Sequence, residues 1–576
     1  MNRNQTPKTL VDLLRVRAQS SPDRTGYIYL RDGNADEETL TYGALDRKAR
    51  AIAAHLRAHA RPGDRALINH LPGTEYIASF FGCLYAGVVA VPVYPPRFNQ
   101  SLERIKSIVT DGTARVALTS SAILESLRPV IDSSPELATV DWLVTDRDFG
   151  SLHEEWMDPG VNGQDLAFIQ YTSGSTSQPK GVMLSHENLI VNLSAICQFF
   201  GASPDSRGVI WLPPYHDMGL IGGLLAPMLE GFPVTLMSPY SFLQRPIRWL
   251  EMISRTRATV SGAPNFAYDL CLNRLTDEQV AGLDLSSWEL AFCGAEPIQV
   301  DVMEKFAKRF APQGFKRKAF YPCYGLAEST LLLSGPDHRE GPMVRRIDAH
   351  LLQTEHRAQV VEASDPNGRD LFGCGAAPAG HEIRIVDPEN RTPMKVGEVG
   401  EIWFSGPSVA KGYWGQTLLS EETFRAEIEG EKGTYLRTGD LGFMLDGQLF
   451  ITGRIKDLII IRGRNVYPQD LEVTSGRAHA AARAGATAVF SILSEKHEEL
   501  LVVVQEMERR ARDADLSEVS KTIREAIFQE HGLKVDTVCL IRTNSIPLTT
   551  SGKIKRHECR KKFVSGELTE LFRDPS

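Results

Sequence analysis

Residues 166–200 fix one local architecture before anything else in the chain is read. An apolar run, Leu166–Tyr171, leads into Thr172-Ser-Gly-Ser-Thr-Ser-Gln-Pro-Lys-Gly181. Gly174 and Gly181 permit backbone angles that other residues resist. Thr172, Ser173, Ser175, Thr176 and Ser177 add hydroxyls, and Lys180 adds an ammonium. Exposed N–H groups, hydroxyls and one cation are what a loop needs to hold a polyphosphate. Glycine and lysine are not at the GxxxxGK[ST] spacing of a Walker loop. Alone, the segment also reads as a flexible Ser/Gly-rich surface loop. The residues after it weigh against that: Ser185 can cap a helix in which Leu189, Ile190, Leu193, Ile196 and Phe200 recur at helical spacing. Strand, phosphate loop and helix in succession form a nucleotide site.

The chain has 576 residues, enough for about four domain-sized units. It is 42% hydrophobic and 24% charged, which allows a large core and argues against disorder. A net charge of −8 argues against general nucleic-acid binding, which needs a basic face. The cysteines at 83, 197, 271, 293, 323, 374, 539 and 559 form no CxxC pair. Scattered thiols point to a reducing, cytoplasmic setting rather than a disulfide or zinc framework. Met1–Leu14 lacks the apolar stretch of a signal peptide. Tyr76–Tyr94 carries no charge and is long enough to raise the question of a membrane span. Gly82, Gly87 and Pro92 interrupt it, so it reads as a buried helix ending near Ala86, a glycine turn, and a core strand at Val88–Val93.

Helical patterns near 44–60, 185–200 and 245–255 alternate with strand-like runs such as Arg65–Ile68, Val88–Val93 and Thr235–Met237. This is the pattern of layered α/β architecture with largely parallel sheets. Residues 380–455 differ: short strands (Glu382–Val386, Glu401–Phe404, Gln448–Thr452) punctuated by Gly, Pro and Asp indicate a β-rich subdomain. Beyond Arg454 a compact α+β set begins, with strands at Ala486–Leu493, Leu500–Gln505 and Thr537–Ile541 and a helix at Leu516–Glu530. The expected division is a large N-terminal domain, 1–455, and a small, mobile C-terminal domain, 456–576.

Polar clusters recur at the ends of these elements. Trp211-Leu-Pro-Pro-Tyr-His-Asp-Met-Gly219 sets His216 and Asp217 after two prolines, and a Gly-rich apolar run comes next. Gly222 and Gly223 can open a channel there, or simply let packed elements approach closely. Gly294-Ala-Glu-Pro297, after the apolar Leu290–Cys293, lets a flat base approach the backbone. In Tyr324-Gly-Leu-Ala-Glu-Ser-Thr330, Tyr324 can stack on a purine, and Glu328 can ligate magnesium, which favours few carboxylates plus substrate phosphates. Asp440, in Arg437-Thr-Gly-Asp440, can accept two ribose hydroxyls. Gly453-Arg-Ile-Lys-Asp457 comes after a strand, and Thr549-Thr-Ser-Gly-Lys-Ile-Lys-Arg556 places Lys553 on a glycine-containing loop as a mobile charge. The basic run through Lys555, Arg556, Arg560, Lys561 and Lys562 reads first as a solvated surface.

In this order, these motifs resemble the adenylate-forming superfamily of acyl-CoA synthetases, luciferases and nonribosomal-peptide adenylation domains, over roughly residues 10–565. Val91-Pro-Val-Tyr-Pro-Pro96, the 211–219 and 453–465 segments and Tyr467-Pro-Gln-Asp-Leu-Glu472 are similar to the fatty acyl-AMP ligases within it. So is an insertion of about 346–374, and Ala327 stands where the superfamily commonly has Thr. The resemblance implies that Thr172, Ser173, Gly174, Ser175, Thr176 and Lys180 hold the phosphates of ATP and that Glu328 binds Mg²⁺. It places Gly294, Ala295, Glu296, Tyr324, Gly325, Leu326 and Ala327 around the adenine and acyl-adenylate, and Asp440 and Arg454 on the ribose. His216 borders the substrate carboxylate or acyl channel, Gly219, Gly222 and Gly223 belong to the acyl pocket, Lys456 is the hinge, and Lys553 contacts the carboxylate and α-phosphate.

The implied reaction turns a medium- or long-chain fatty acid into acyl-AMP with release of pyrophosphate. The acyl group then passes to the phosphopantetheine of an acyl carrier protein, or a carrier domain of a polyketide or nonribosomal peptide synthase, acting in trans. No Ser-His-Asp spacing is present, and none is needed, because a carboxylate is already an ionised nucleophile. A fatty acyl-CoA synthetase, an amino-acid adenylation enzyme and a non-catalytic nucleotide-binding protein are the alternatives.

Overall fold

The computed structural model describes residues 7–95, 103–172, 179–461, 464–493, 499–511, 514–549 and 553–575. Two largely parallel sheets form the body. The first runs Asp141–Val144, Val116–Thr119, Arg65–Asn69, Val89–Pro92, Leu166–Thr172 and Lys180–Ser185, with only the last strand antiparallel to its neighbour. The second runs Phe320–Pro322, Leu290–Cys293, Val260–Gly262, Gly208–Ile210, Val234–Met237, Thr25–Leu30 and Glu37–Thr41, antiparallel only at the Glu37–Thr41 edge. Their strands are apolar along most of their length, as sheets covered on both faces require.

The uncharged Tyr76–Tyr94 segment resolves as the helix Thr74–Tyr85, a turn, and the strand Val89–Pro92. Among the described residues no helix is long and apolar enough to cross a membrane. The helix after the phosphate loop, His186–Phe200, begins on Ser185, whose hydroxyl accepts the Asn188 N–H while the Asn188 side chain accepts the Ser185 N–H. It ends at Gly201, in the left-handed region. Leu189, Leu193 and Ile196 are buried, so its apolar stripe faces the core.

A four-stranded antiparallel sheet comes next in the chain: Glu382–Val386, Gly400–Ser405, Leu436–Leu445 and Gln448–Arg454. Before it, the strands Val344–Asp348 and Gly368–Phe372 form a hairpin, with the helix Ala349–Thr354 between them. The last sheet runs Ala482–Leu493, Glu499–Met507, Thr537–Ile541 and Glu570–Pro575. It packs with the helices Pro468–Ala478, Leu516–His531 and Arg556–Ser565. One of its buried clusters, running from Ile459 to Leu540, draws only on residues after 458. Tyr467 is the exception to this separation, because it is buried among Ile347, Leu352 and Leu371 of the hairpin.

Candidate active site

The motif loops converge on a single cavity of about 1850 Å³. Its best-bonded corner is Asp440. The Tyr324 hydroxyl donates to one carboxylate oxygen at 2.6 Å, and Arg454 Nε donates to the other at 2.7 Å. Arg454 lies opposite Asp440 in the antiparallel pair of Leu436–Leu445 and Gln448–Arg454, so strand register sets this contact. Asp440 raises the guanidinium pKa against the effect of burial. The strand is irregular just before it, where the pairing with Gly400–Ser405 shifts register and Gly439 sits at φ +71°. Its N–H donates to Glu401 Oε1 at 3.0 Å, and Glu401 Oε2 accepts from Trp403 Nε1 and Arg437 Nε at 2.9 and 3.0 Å. Glu401 is only 2% exposed.

Glu328 forms the second corner. Tyr413 donates its hydroxyl to Glu328 Oε1 at 2.8 Å, and the same ring lies under Lys180 Nζ, 4.9 Å from its centroid. Burial raises the Glu328 pKa, with Tyr413 and Arg454 working against it. Burial lowers that of Lys180; nearby Lys456 adds to the lowering, and Glu328 opposes it. Thr172 and Lys180 pair across the strands that bracket the phosphate loop. Ser173, Gly174, Ser175 and Thr176 lie outside the described residues.

Gly294, Ala295, Glu296, Tyr324, Gly325, Leu326 and Ala327 line the cavity wall between these corners. Ala295 sits at φ +68°, a strained conformation for a residue with a side chain, beside the cavity. Glu296 accepts the Phe266 N–H at 2.7 Å, and burial raises its pKa. His216 Nδ1 lies 2.6 Å from Asp217 Oδ1. Asp217 remains below the ordinary carboxylate value: burial pushes it up, but His216, the Met218 N–H and Lys553 more than offset this.

Lys553 enters from the small C-terminal fold. Burial lowers the pKa of its ammonium, Asp217, Glu296 and Asp440 oppose that, and Arg454 adds to it. Among the described residues no ion pair engages its Nζ, although these carboxylates surround it.

Part of the lining of the same cavity is apolar, with Ile196, Phe200, Met218, Phe292 and Leu331. Gly222 belongs to it: a Cβ there would meet only the Leu331 Cδ2, at 3.3 Å. The expectation for Gly219 and Gly223 is corrected, because neither lines the cavity. A Cβ on Gly219 would stand 2.1 Å from the Pro213 carbonyl oxygen, and one on Gly223 3.0 Å from Ile210 Cγ2. Both let the π-helical segment Met218–Leu225 pack closely.

Comparison with known proteins decides the family. Residues 14–414 match the family model described as AMP-binding enzyme, and residues 456–572 match the AMP domain of Disco-interacting protein 2-like proteins. The medium-chain fatty acid acyl-carrier-protein ligase JamA of Moorena producens is 45% identical over 570 residues, covering 98% of this chain and 96% of its own. A long-chain-fatty-acid AMP ligase of Mycobacterium marinum is 38% identical, covering 98% and 99%. A crystal structure of the fatty acyl-adenylate ligase of Legionella pneumophila, in complex with acyl adenylate and pyrophosphate, is 40% identical with a TM-score of 0.76, covering 98% of each chain. The chain belongs to the fatty acyl-AMP ligases of the AMP-binding enzyme family.

Several groups that shape this ligase's site escape motif reading. Glu401 fixes the strand irregularity before Asp440, and Tyr413 orients Glu328. Asn192, fully buried, donates to the Ser329 and Leu332 carbonyls at 3.3 and 2.8 Å and accepts the Leu332 N–H at 3.0 Å. Asn188 donates to the Pro407 and Val409 carbonyls at 2.8 and 3.0 Å. One polar edge of the helix His186–Phe200 thus ties down both loops flanking Glu328. Thr330, at φ +75°, is held in a strained conformation by its bond to the Ser408 carbonyl at 2.6 Å. The only sequence signal for the asparagines is two polar residues four apart on an otherwise apolar stripe.

Proposed function

We propose that this ligase joins a medium- or long-chain fatty acid to the AMP moiety of ATP, releases pyrophosphate, and hands the acyl group to an acyl carrier protein in trans. The observation that carries the reading is that one cavity is lined both by apolar side chains and by His216, Lys553, Asp440 and Arg454. On this reading the apolar lining takes the fatty tail, Lys553 the carboxylate and Asp440 the ribose. The names of the relatives from Moorena producens and Mycobacterium marinum support the same substrates.

In the first step a carboxylate oxygen bonds to the α-phosphorus, the bond from that phosphorus to the bridging oxygen breaks, and pyrophosphate leaves with the electron pair. No proton moves. The barrier lies in bringing two anions together, so fixed positive charge and alignment carry the catalysis. Holding the reactants in line contributes on the order of 7–11 kcal/mol. Lys553 meets the charge at the α-phosphate, Lys180 that of the outer phosphates, and the Asp217-held His216 borders the carboxylate. In the second step a thiol sulfur bonds to the acyl carbon, the mixed anhydride C–O bond breaks, AMP leaves, and the thiol proton is released.

Magnesium fits the residues present. Glu328 offers one desolvated carboxylate, steadied by Tyr413 and facing Lys180, and burial alone disfavours its charge. A divalent cation would relieve that cost. Among the described residues no cluster of three or more ligating side chains exists, which suits an ion that takes its other ligands from phosphate and water. When bound it would neutralise phosphate charge.

The same reading places the hinge at Lys456, just after the strand Gln448–Arg454, where the second family match also begins. It places the protein in the cytoplasm, in keeping with eight free cysteines. It favours a carrier protein over free coenzyme A because the insertion grips the small domain: Arg369 pairs with Asp470 at 2.9 Å and lies over the Tyr467 ring at 5.5 Å. A restrained domain disfavours the rearrangement a freely diffusing thiol would need.

The test is a panel of C4 to C18 acids with ATP and Mg²⁺, trapping the adenylate with hydroxylamine, then offering coenzyme A beside a phosphopantetheinylated carrier protein. Acyl hydroxamate from mid-length or longer acids and transfer to the carrier are expected. Arg369→Ala is expected to raise coenzyme A acylation severalfold. No hydroxamate from any acid, or wild-type transfer to coenzyme A as fast as to carrier, overturns the reading.

A further inference from the structure

Lys553 sits on a hairpin whose feet are fixed by hydrogen bonds that do not use the lysine side chain. Lys553 and Thr549 close it: the Lys553 N–H donates to Thr549 Oγ1 at 2.9 Å, and the Thr549 N–H to the Lys553 carbonyl at 2.6 Å. Leu548 and Ile554 bridge across it, and the Lys555 N–H donates to the Pro547 carbonyl at 2.9 Å. On the incoming side, Glu506 is fully buried and accepts the N–H groups of Ser545 and Ile546, each at 2.7 Å. On the outgoing side stands Arg556, three residues after the lysine. Its Nε and one terminal nitrogen bond the two oxygens of Glu472, both at 2.6 Å, and its other terminal nitrogen donates to Asp457 at 2.8 Å.

This is a bidentate guanidinium–carboxylate contact with a second carboxylate added, the geometry in which arginine is most directional. It joins three pieces of chain: the Pro468–Ala478 helix through Glu472, the lysine hairpin, and the short Ile455–Asp457 turn next to the proposed hinge residue. Glu472 also accepts the Val489 N–H at 3.1 Å, so it is itself anchored to the central sheet of the small domain. Burial works against the charge of Arg556, and Glu472 and Asp457 more than offset it.

We infer that Arg556 is a positioning residue: by bonding Glu472 and Asp457 it fixes the hairpin relative to the hinge, and so sets where Lys553 stands over the reacting phosphate. This rests on the proposed adenylating function. A misplacement of about 1 Å at a reacting group can cost on the order of 100-fold in rate. The effect falls on the first step, where two anions meet. The second step brings a thiol to an acyl-AMP already formed and does not need the lysine at the same point.

The experiment measures the two half-reactions separately on the full chain: pyrophosphate release with decanoate and ATP, and transfer from preformed decanoyl-AMP to a phosphopantetheinylated carrier protein. Wild-type enzyme inactive in the first assay would count against the proposed function, not against this inference. With wild type active, Arg556→Gln is expected to lower kcat for pyrophosphate release about 10- to 100-fold, with KM for ATP and the transfer rate each within about threefold. Arg556→Lys is expected to recover part of the loss. Equal falls in both half-reactions, or unchanged pyrophosphate release, overturn the inference. If Arg556→Gln does not fold, Asp457→Asn weakens one of the three bonds and leaves Glu472 engaged. It is expected to slow only the first half-reaction, by about three- to tenfold with an unchanged Tm, and equal or absent effects on the two steps overturn the inference.

Discussion

The Asp440 corner and the Lys553 hairpin face each other across one cavity and are built on opposite plans. At Asp440 both carboxylate oxygens are already bonded, to Tyr324 and Arg454, and the strand irregularity just before it is held by the buried Glu401. Lys553 has a firmly anchored backbone, but among the described residues no ion pair engages its ammonium, despite carboxylates from three segments nearby. The first is a grip set before ligand arrives. The second is a charge held in a poorly solvated place without a counter-ion in contact, so an arriving phosphate or carboxylate has most to offer it. On the proposed function, binding and chemistry fall to different domains of the protein.

Removing the lysine should break this contrast most severely. Lys553→Ala is expected to lower fatty-acid-dependent pyrophosphate release by about 100-fold or more, the scale of losing one charge-stabilising donor. A change below about fivefold in steady-state kcat would refute its role. Asp440→Asn is expected to act on the other quantity, raising KM for ATP about 10- to 100-fold with a smaller effect on kcat, as loss of an interaction common to ground and transition states should. A purely kcat effect in initial-rate measurements would refute the grip.

The pH profile separates the two regions further. Burial raises Glu328 above its ordinary 4.5, so the carboxylate form that would hold the proposed cation is lost on acidification sooner than for an exposed glutamate. Burial lowers Lys553 below its ordinary 10.5, so its charge is lost on the alkaline side sooner than for an exposed lysine. A bell-shaped kcat/KM profile, narrower than those two limits, is expected. In Lys553→Arg, whatever rate remains should lose the alkaline limb, because guanidinium stays charged there. An alkaline limb unmoved by that substitution would assign it to another group. The smallest effect should come from Glu401→Gln, which keeps the shape but weakens the hold on Arg437 and Gly439. About a fivefold rise in KM for ATP is expected, in line with a loss of roughly 1 kcal/mol at a buried hydrogen-bond network. Unchanged ATP kinetics would show that this part of the strand stands without it.

Much of this was legible in the sequence because strand ends are punctuated. Gly294 and the prolines at 213 and 214 mark where elements stop, Gly439 marks an irregularity inside a strand, and the charged residues beside them fall into the cavity. The alternation of helix and strand likewise pointed to the layered α/β plan. The supporting groups were not legible because their contacts are long-range: Tyr413 meets Glu328 across 85 residues, and Asn192 meets Ser329 across 137. No local period encodes such pairs. Gly219, Gly222 and Gly223 show the opposite limit. In sequence they are alike, but only Gly222 faces the cavity, because helical geometry turns its neighbours into the protein.

The division between grip and charge is tested most directly by measuring equilibrium ATP binding and single-turnover acyl-AMP formation side by side in Lys553→Ala and Asp440→Asn. Lys553→Ala should bind ATP within about threefold of wild type while forming acyl-AMP about 100-fold more slowly. Asp440→Asn should lose most of its affinity yet keep a near-normal rate once saturated. The reverse pattern, or equal losses of binding and rate in both proteins, would contradict the assignment of nucleotide binding to the large domain and of the chemical step to the lysine of the small one.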